Sequence, residues 1–296
     1  MTYVSTGTQT TRPRGGNRKS LPLALVMLKL RVMVQSRIAP DAAAALLAKT
    51  FTHRRNMPLR ASDAGWDVGA RRKAVSIGNG QVVQSYDWGK GPVVVLVHGF
   101  GGRAAQMAGF VAPLVAAGYR VVTFDGPAHG ASAGTHTALP DFVRAIEKVA
   151  ESIGPLHAVI GHSMGAAAMA ATLARGLEAD RAVLIAPPAY PGTYLAQLGK
   201  ALGATDQVIG RAQAWIENSY KAPFDEFRTA LNTASLDMPG LVIHDAHDRK
   251  IPMADGQAAA DSWPGAHMMV TEGLGHARIL QDPHVIAAVT DFVDQA

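Results

Sequence analysis

The chain contains no cysteine. That absence excludes disulfides, thiolate metal sites and a cysteine nucleophile. Aromatic residues are sparse at 6% and charged residues are 17% of the total. No apolar run is long and uninterrupted enough to span a bilayer. The longest candidate, Leu21 to Val34, is broken by Lys29 and Arg31 and is followed by no small-x-small cleavage pattern, so it does not read as a signal peptide. Acids are nearly missing from the first quarter. Residues 1–73 hold 14 of the 28 Lys and Arg but only Asp41, Asp63 and Asp67, a net of +11 against +5 for the whole chain. The remainder therefore carries −6, and the basic character belongs to an N-terminal extension. That stretch has no interleaved aromatics and no nucleic-acid-binding module, so no nucleic-acid partner is expected.

What is present is a sizeable core. Hydrophobic residues make up 48% of 296 positions, and that length fits one large α/β domain with additions, or two small domains. Residues 1–20 are polar and read as disordered. The alternation Leu28, Leu30, Val32, Val34 in this stretch leaves a strand open, and as a helix Leu21 to Val34 has two readings. It packs as a helix on the body or on a second subunit, or it lies on an anionic membrane surface through residues 21–35. Asp41 starts a helix running to Lys49. The basic stretch Thr52 to Asp67, with Arg54, Arg55 and Arg60, is expected on the surface.

The regular body begins near residue 74. Ala74–Ile77 and Gln81–Tyr86 flank Gly78-Asn79-Gly80, a hairpin signal. Val93–His98 is a continuous apolar run, the mark of a central parallel strand. A helix from Arg103 to Ala117, a strand at Arg120–Phe124, a helix at Leu139–Ile153 and strands at Leu156–Ile160 and Arg181–Ala186 follow in alternation. Then comes a strand-free stretch of about 188–238, read as a helical lid. Strands at Leu241–His244 and His267–Val270, a helix from Met253 to Ser262 and a last helix over 283–294 complete the order. This alternation predicts a mostly parallel sheet with helices on both faces.

The chemistry centres on Gly161-His162-Ser163-Met164-Gly165. Alone this pattern is weak, but a strand leads into it and the helix former Ala166–Ala174 follows it. A serine at so tight a corner is strained and lifted out of the sheet. The competing reading is a glycine-rich turn with Ser163 as N-cap. A serine nucleophile needs a base, and the base needs a group to fix its tautomer. Such groups lie at the carboxyl ends of parallel strands. Those ends offer Asp248 as acid and His276 as base. Asp245 competes as the acid, but Asp248 sits in the loop before the helix near Pro252. His157, His244 and His267 sit in strands and His284 in the last helix, whereas His276 follows two loop glycines. Oxyanion donors are expected from the backbone N–H groups of Met164 and Phe100, the latter in His98-Gly99-Phe100-Gly101-Gly102. Phe100, His162 and Tyr190 are the expected substrate-binding residues.

From Ala74 to Ala296 the sequence resembles a serine hydrolase of the α/β-hydrolase superfamily. Four motifs carry the resemblance in order: His98–Gly102, Asp125-Gly126-Pro127-Ala128-His129-Gly130-Ala131-Ser132, Gly161–Gly165, and Asp248–Pro252 with Gly275-His276. The resemblance implies an α/β-hydrolase fold, with an eight-stranded, mostly parallel sheet whose second strand is antiparallel and a small cap after the sixth strand. It implies Ser163, Asp248 and His276 as a triad. Many relatives carry Asp-x-Arg-Gly-His-Gly where this chain has Asp125–Gly130. The arginine is missing and a proline stiffens the loop. The activity implied is cleavage of a small-molecule ester. Thioesterase, lactonase, acyltransferase and perhydrolase chemistry, or ligand binding by a retained triad, are the alternatives. No cofactor and no metal are expected, and the expected location is cytoplasmic or peripheral to a membrane.

Overall fold

The computed structural model describes residues 22–54 and 63–295. The readings made for residues 1–20 and for Arg55 and Arg60 lie outside that range.

The body is one eight-stranded sheet. Its strands are β1 (Arg71–Gly78), β2 (Gln81–Trp88), β3 (Val93–Val97), β4 (Arg120–Asp125), β5 (Leu156–His162), β6 (Ala179–Ile185), β7 (Gly240–Asp245) and β8 (Ala266–Thr271). Their spatial order is β1-β2-β4-β3-β5-β6-β7-β8. β2 is antiparallel to both β1 and β4, and every pairing from β4 through β8 is parallel. The β1–β2 hairpin turns at Asn79 and Gly80, both with positive φ (52° and 71°). That is the mirror-image turn whose twist matches two antiparallel strands.

All five residues of β3 are buried. Such a strand needs cover on both faces, and it has it. On one face lie α4 (Leu139–Ile153), α5 (Met164–Ala174) and α9 (Met253–Ser262), with Phe142, Ile146 and Trp263 in the core. On the other lie α3 (Ala108–Ala116) and α11 (Pro283–Asp294), with Phe110, Leu114 and Val289. The segment expected to form one helix from Arg103 begins instead with a tighter turn at Ala104–Met107 before α3.

No strand interrupts the chain between Ile185 and Gly240. It holds α6 (Pro191–Ala201), α7 (Asp206–Tyr220), a 3₁₀ turn at Phe224–Phe227 and α8 (Thr229–Thr233). A third core forms here. It joins Leu195, Ile209, Ala212 and Ile216 to Val32, Ala43, Ala44 and Leu47 of α1 (Leu23–Ile38) and α2 (Pro40–Thr52). The alanines of α2 let it approach α7 closely. On α6, Gly199 leaves room for Ile209 and Leu47, which a Cβ there would meet at 2.6 and 3.2 Å.

α1 buries only Val32 and Ser36. Leu23, Met27, Leu30, Val34 and Ile38 stay exposed. Their spacing puts them along one side of the helix. No described helix is long and apolar enough to cross a membrane.

Candidate active site

β5 ends at the centre of the sheet, and the chain reverses into α5 within one residue. That residue is Ser163, at φ 54° and ψ −125°. A non-glycine residue rarely occupies this region, and such strain persists only where the surroundings enforce it. The surroundings are visible. A Cβ on Gly165 would lie 2.5 Å from the His98 carbonyl oxygen and 2.6 Å from that of Val97. A Cβ on Gly161 would lie 2.7 Å from the Cα of Ala166. Both glycines are demanded by backbone contact. The Ser163 side chain accepts no capping hydrogen bond from α5, which removes the N-cap reading.

The hydroxyl faces His276 instead. His276 Nε2 lies 3.1 Å from Ser163 Oγ, and His276 Nδ1 lies 2.7 Å from Asp248 Oδ2. Since the carboxylate can only accept, Nδ1 carries the proton and Nε2 is left as the acceptor facing the hydroxyl. Asp248 is fully buried at its side chain. Its other oxygen accepts the N–H groups of Lys250 (2.7 Å) and Ile251 (3.1 Å). Burial alone would raise the Asp248 carboxyl. The hydrogen bonds from His276 and from the two amides outweigh it and hold the carboxyl below its ordinary value.

Asp245, the competing acid, is placed differently. Oδ2 accepts from Thr271 Oγ1 and from the Leu274 amide, each at 2.9 Å, and Oδ1 accepts from the His247 amide at 3.0 Å. It ties the loop after β7 to the loop after β8. His276 itself sits in a short helix, α10 (Gly275–Arg278), which begins at the second of the two glycines.

The loop beside Ser163 is equally constrained. A Cβ on Gly99 would lie 2.7 Å from Ser163 Cβ, so the His98–Gly102 backbone passes directly over Ser163. His98 Nδ1 donates to the Gly99 carbonyl (2.8 Å), and its Nε2 accepts the Gly126 amide (2.9 Å). His129 Nδ1 donates to the Pro127 carbonyl, and its Nε2 accepts the Gly101 amide, each at 2.9 Å. Burial keeps both rings neutral. It pushes His98 down to about 4 and His129 to about 3. Asp125 fastens the same region, accepting from the Ala104 and Ala131 amides (2.8 Å each) and from Tyr86 Oη (3.0 Å). Among the described residues, the N–H groups of Phe100 and Met164 donate to no protein acceptor. They are free for a ligand.

Three sequence expectations need correction. His162 does not face the pocket. It is buried, pushed down to about 3 by that burial, and its Nε2 donates to the His276 carbonyl at 2.9 Å. That hydrogen bond ties the ring to α10, on the chain segment that carries His276. Tyr190 is not on the pocket wall either. Arg228 lies 4.1 Å above its ring, and its hydroxyl accepts from Gln213. Tyr194, one helical turn on, takes the wall position. A third correction concerns Arg54, expected on the surface but only 7% exposed. Its Nη2 donates to the Gly101 carbonyl at 3.0 Å.

The pocket above Ser163 has a volume of about 450 Å³. Phe100 and Met164 line it beside Ser163, and cap residues such as Leu198, Ile216, Phe224 and Phe227 also line it. The described residues include no cluster of side chains able to hold a metal ion.

The sequence model of the alpha/beta hydrolase family matches residues 94–289. The chain belongs to that family. Among solved structures, a bromoperoxidase from Bacillus anthracis superposes with a TM-score of 0.60 at 18% identity, covering 76% of this chain and all of its own. An esterase from Rhodococcus sp. gives 0.57 at 19% identity, covering 77% of this chain and 99% of its own. A membrane phospholipase A, described as a bacterial virulence factor, gives 0.60 at 19% identity, covering 92% of this chain and 97% of its own. At such identities these likenesses establish the fold. No curated protein matches the sequence.

Proposed function

We propose that this hydrolase cleaves carboxylic esters through an acyl-enzyme on Ser163. One observation carries the reading: a single imidazole stands within hydrogen-bond reach of Ser163 Oγ on one nitrogen and of a buried carboxylate on the other. In the first step His276 Nε2 takes the hydroxyl proton as Oγ attacks the ester carbonyl. The Phe100 and Met164 N–H groups receive the oxyanion. One such donor is worth about 2.7–4 kcal/mol of barrier. Asp248 stabilises the imidazolium. The carbon–oxygen bond to the alcohol then breaks, and His276 gives the leaving alkoxide its proton. Water repeats the cycle with His276 as base, releasing the acid and restoring Ser163.

The test is hydrolysis of p-nitrophenyl acetate by the protein and by Ser163→Ala. Turnover is expected to vanish in the variant while the melting temperature stays within a degree or so, since the Ser163 side chain caps nothing. Full activity in a folded S163A variant would overturn the reading.

A further inference from the structure

The N-terminal segment lies outside the family match at residues 94–289, yet it reaches the centre of the site. α2 ends at Thr52, and the next residues are strapped to the loop before α4. The Thr137 amide donates to the Thr52 carbonyl (2.9 Å), and the Arg54 amide donates to the Thr135 carbonyl (2.7 Å). This strap fixes two things at once. Thr50 and Phe51, at the end of α2, become part of the pocket wall together with Leu139 and Pro140. Arg54 is carried onto the loop over Ser163.

The position of Arg54 has a mechanical consequence. Its Nη2 holds the Gly101 carbonyl. That carbonyl shares a peptide plane with the Gly102 N–H, which donates to the Gly99 carbonyl at 3.0 Å. The Gly99 carbonyl in turn shares a plane with the Phe100 N–H. Peptide units are planar and trans, so fixing a carbonyl on one side fixes its N–H on the other. A chain of two peptide planes thus runs from the guanidinium to the oxyanion donor. Arg54 touches no reacting atom and is a positioning residue.

We propose that the α1–α2 hairpin and its strap are a working part of the active site: Phe51 closes the acyl end of the pocket, and Arg54 orients the Phe100 N–H. The substrate class follows from the wall. Phe51, Leu139, Leu198, Ile216, Phe224 and Phe227 offer an apolar surface around a space of about 450 Å³. It fits an ester whose acyl group is a medium-length hydrocarbon chain. This inference rests on the proposed ester hydrolysis at Ser163.

The experiment compares kcat/KM for p-nitrophenyl acetate and p-nitrophenyl octanoate in the full chain and in Phe51→Trp, Phe51→Ala, Arg54→Met and Arg54→Lys. Active sites are counted by fluorophosphonate titration, and folding is checked by thermal melting. Phe51→Trp is expected to lower the octanoate-to-acetate ratio by about tenfold or more, and Phe51→Ala to move the optimum to longer chains. Arg54→Met is expected to lower kcat per titrated site about ten- to a hundredfold on both esters, with KM little changed and part of the loss recovered in Arg54→Lys. An unchanged chain-length profile in whichever Phe51 variant folds overturns the pocket assignment. Normal kcat per titrated site in folded Arg54→Met, or a loss in folded Arg54→Lys no smaller than in Arg54→Met, overturns the positioning role. Failure of the unaltered protein to hydrolyse either ester or to react with the fluorophosphonate is a different result, and it refutes the ester-hydrolase reading beneath.

Discussion

Asp245 and Asp248 stand three residues apart at the end of β7, both with buried side chains, and they hold different things. Asp248 receives His276 Nδ1, whereas Asp245 receives the Thr271 hydroxyl and the Leu274 amide. One holds the His276 ring and the other holds the loop that carries it. Substitution should separate these duties.

Asp248→Asn replaces an acceptor by an N–H₂ group facing His276 Nδ1. The ring then presents its Nε2–H to Ser163, which is the wrong tautomer. A loss of about 10⁴ in kcat is expected by analogy with other triads, with the fold retained. Steady-state kinetics on p-nitrophenyl acetate checks this. A loss of less than tenfold would show that Asp248 does not set the tautomer.

Asp245→Asn should act first on stability. An amide placed against three donors, with the backbone N–H groups of His247 and Leu274 on different oxygens, leaves at least one buried hydrogen bond unmade, at about 1–3 kcal/mol. For a chain of this size that is a fall in melting temperature of about 2–4 °C per kcal/mol. The melting curve of the variant tests the claim, and an unaltered midpoint would contradict it.

Two glycine-to-alanine changes should move stability in opposite directions. At Gly165 the new methyl would meet two backbone carbonyl oxygens at 2.5 and 2.6 Å, and neither can retreat without moving β3. G165A is expected to destabilise the protein severely, by about 4 kcal/mol or more. At Gly210, exposed on α7, a Cβ would meet nothing within 4 Å. There G210A should stabilise by about 0.5–1 kcal/mol, because alanine loses less backbone entropy in a helix. Paired thermal melts of the two variants read both signs.

The buried histidines predict acid lability. Burial keeps His98 neutral down to about 4, and His129 and His162 down to about 3. In the unfolded chain the same rings bind protons below about pH 6.5. Between these limits the unfolded state holds more protons, so stability falls as pH falls. The contribution is whole above about pH 6.5 and lost progressively toward pH 3–4. Asp245 and Asp248, both held below the usual carboxylate value, add to the loss only at the acid end. A pH series of melting temperatures should decline from about pH 6.5 downward. A flat profile until the carboxylate range would contradict it.

Much of this architecture was legible in the residues because local rules specify it. The apolar β3, the hairpin at Asn79-Gly80 and the strand–serine–helix corner each depend on a few adjacent positions. The juxtaposition of Ser163, Asp248 and His276 followed from chain order and from the habit of parallel sheets to gather loops at one edge. What escaped depends on contacts with no local signature. Arg54 and Gly101 are 47 residues apart and share no motif. A basic residue in an irregular stretch reads as solvated until the strap that buries it is seen. Tyr190 and Tyr194 differ by one helical turn, and only the packing of α6 decides which faces the pocket. His162 follows the strand alternation, but its hydrogen bond to His276 crosses 114 residues.

The most direct measurement is the intact mass of the protein after treatment with a fluorophosphonate, followed by peptide mapping. One adduct per chain is expected, on Ser163, formed at least a hundredfold more slowly (on the order of the loss of a triad member) in His276→Ala. No adduct on the folded protein, or an adduct on another residue, would contradict it.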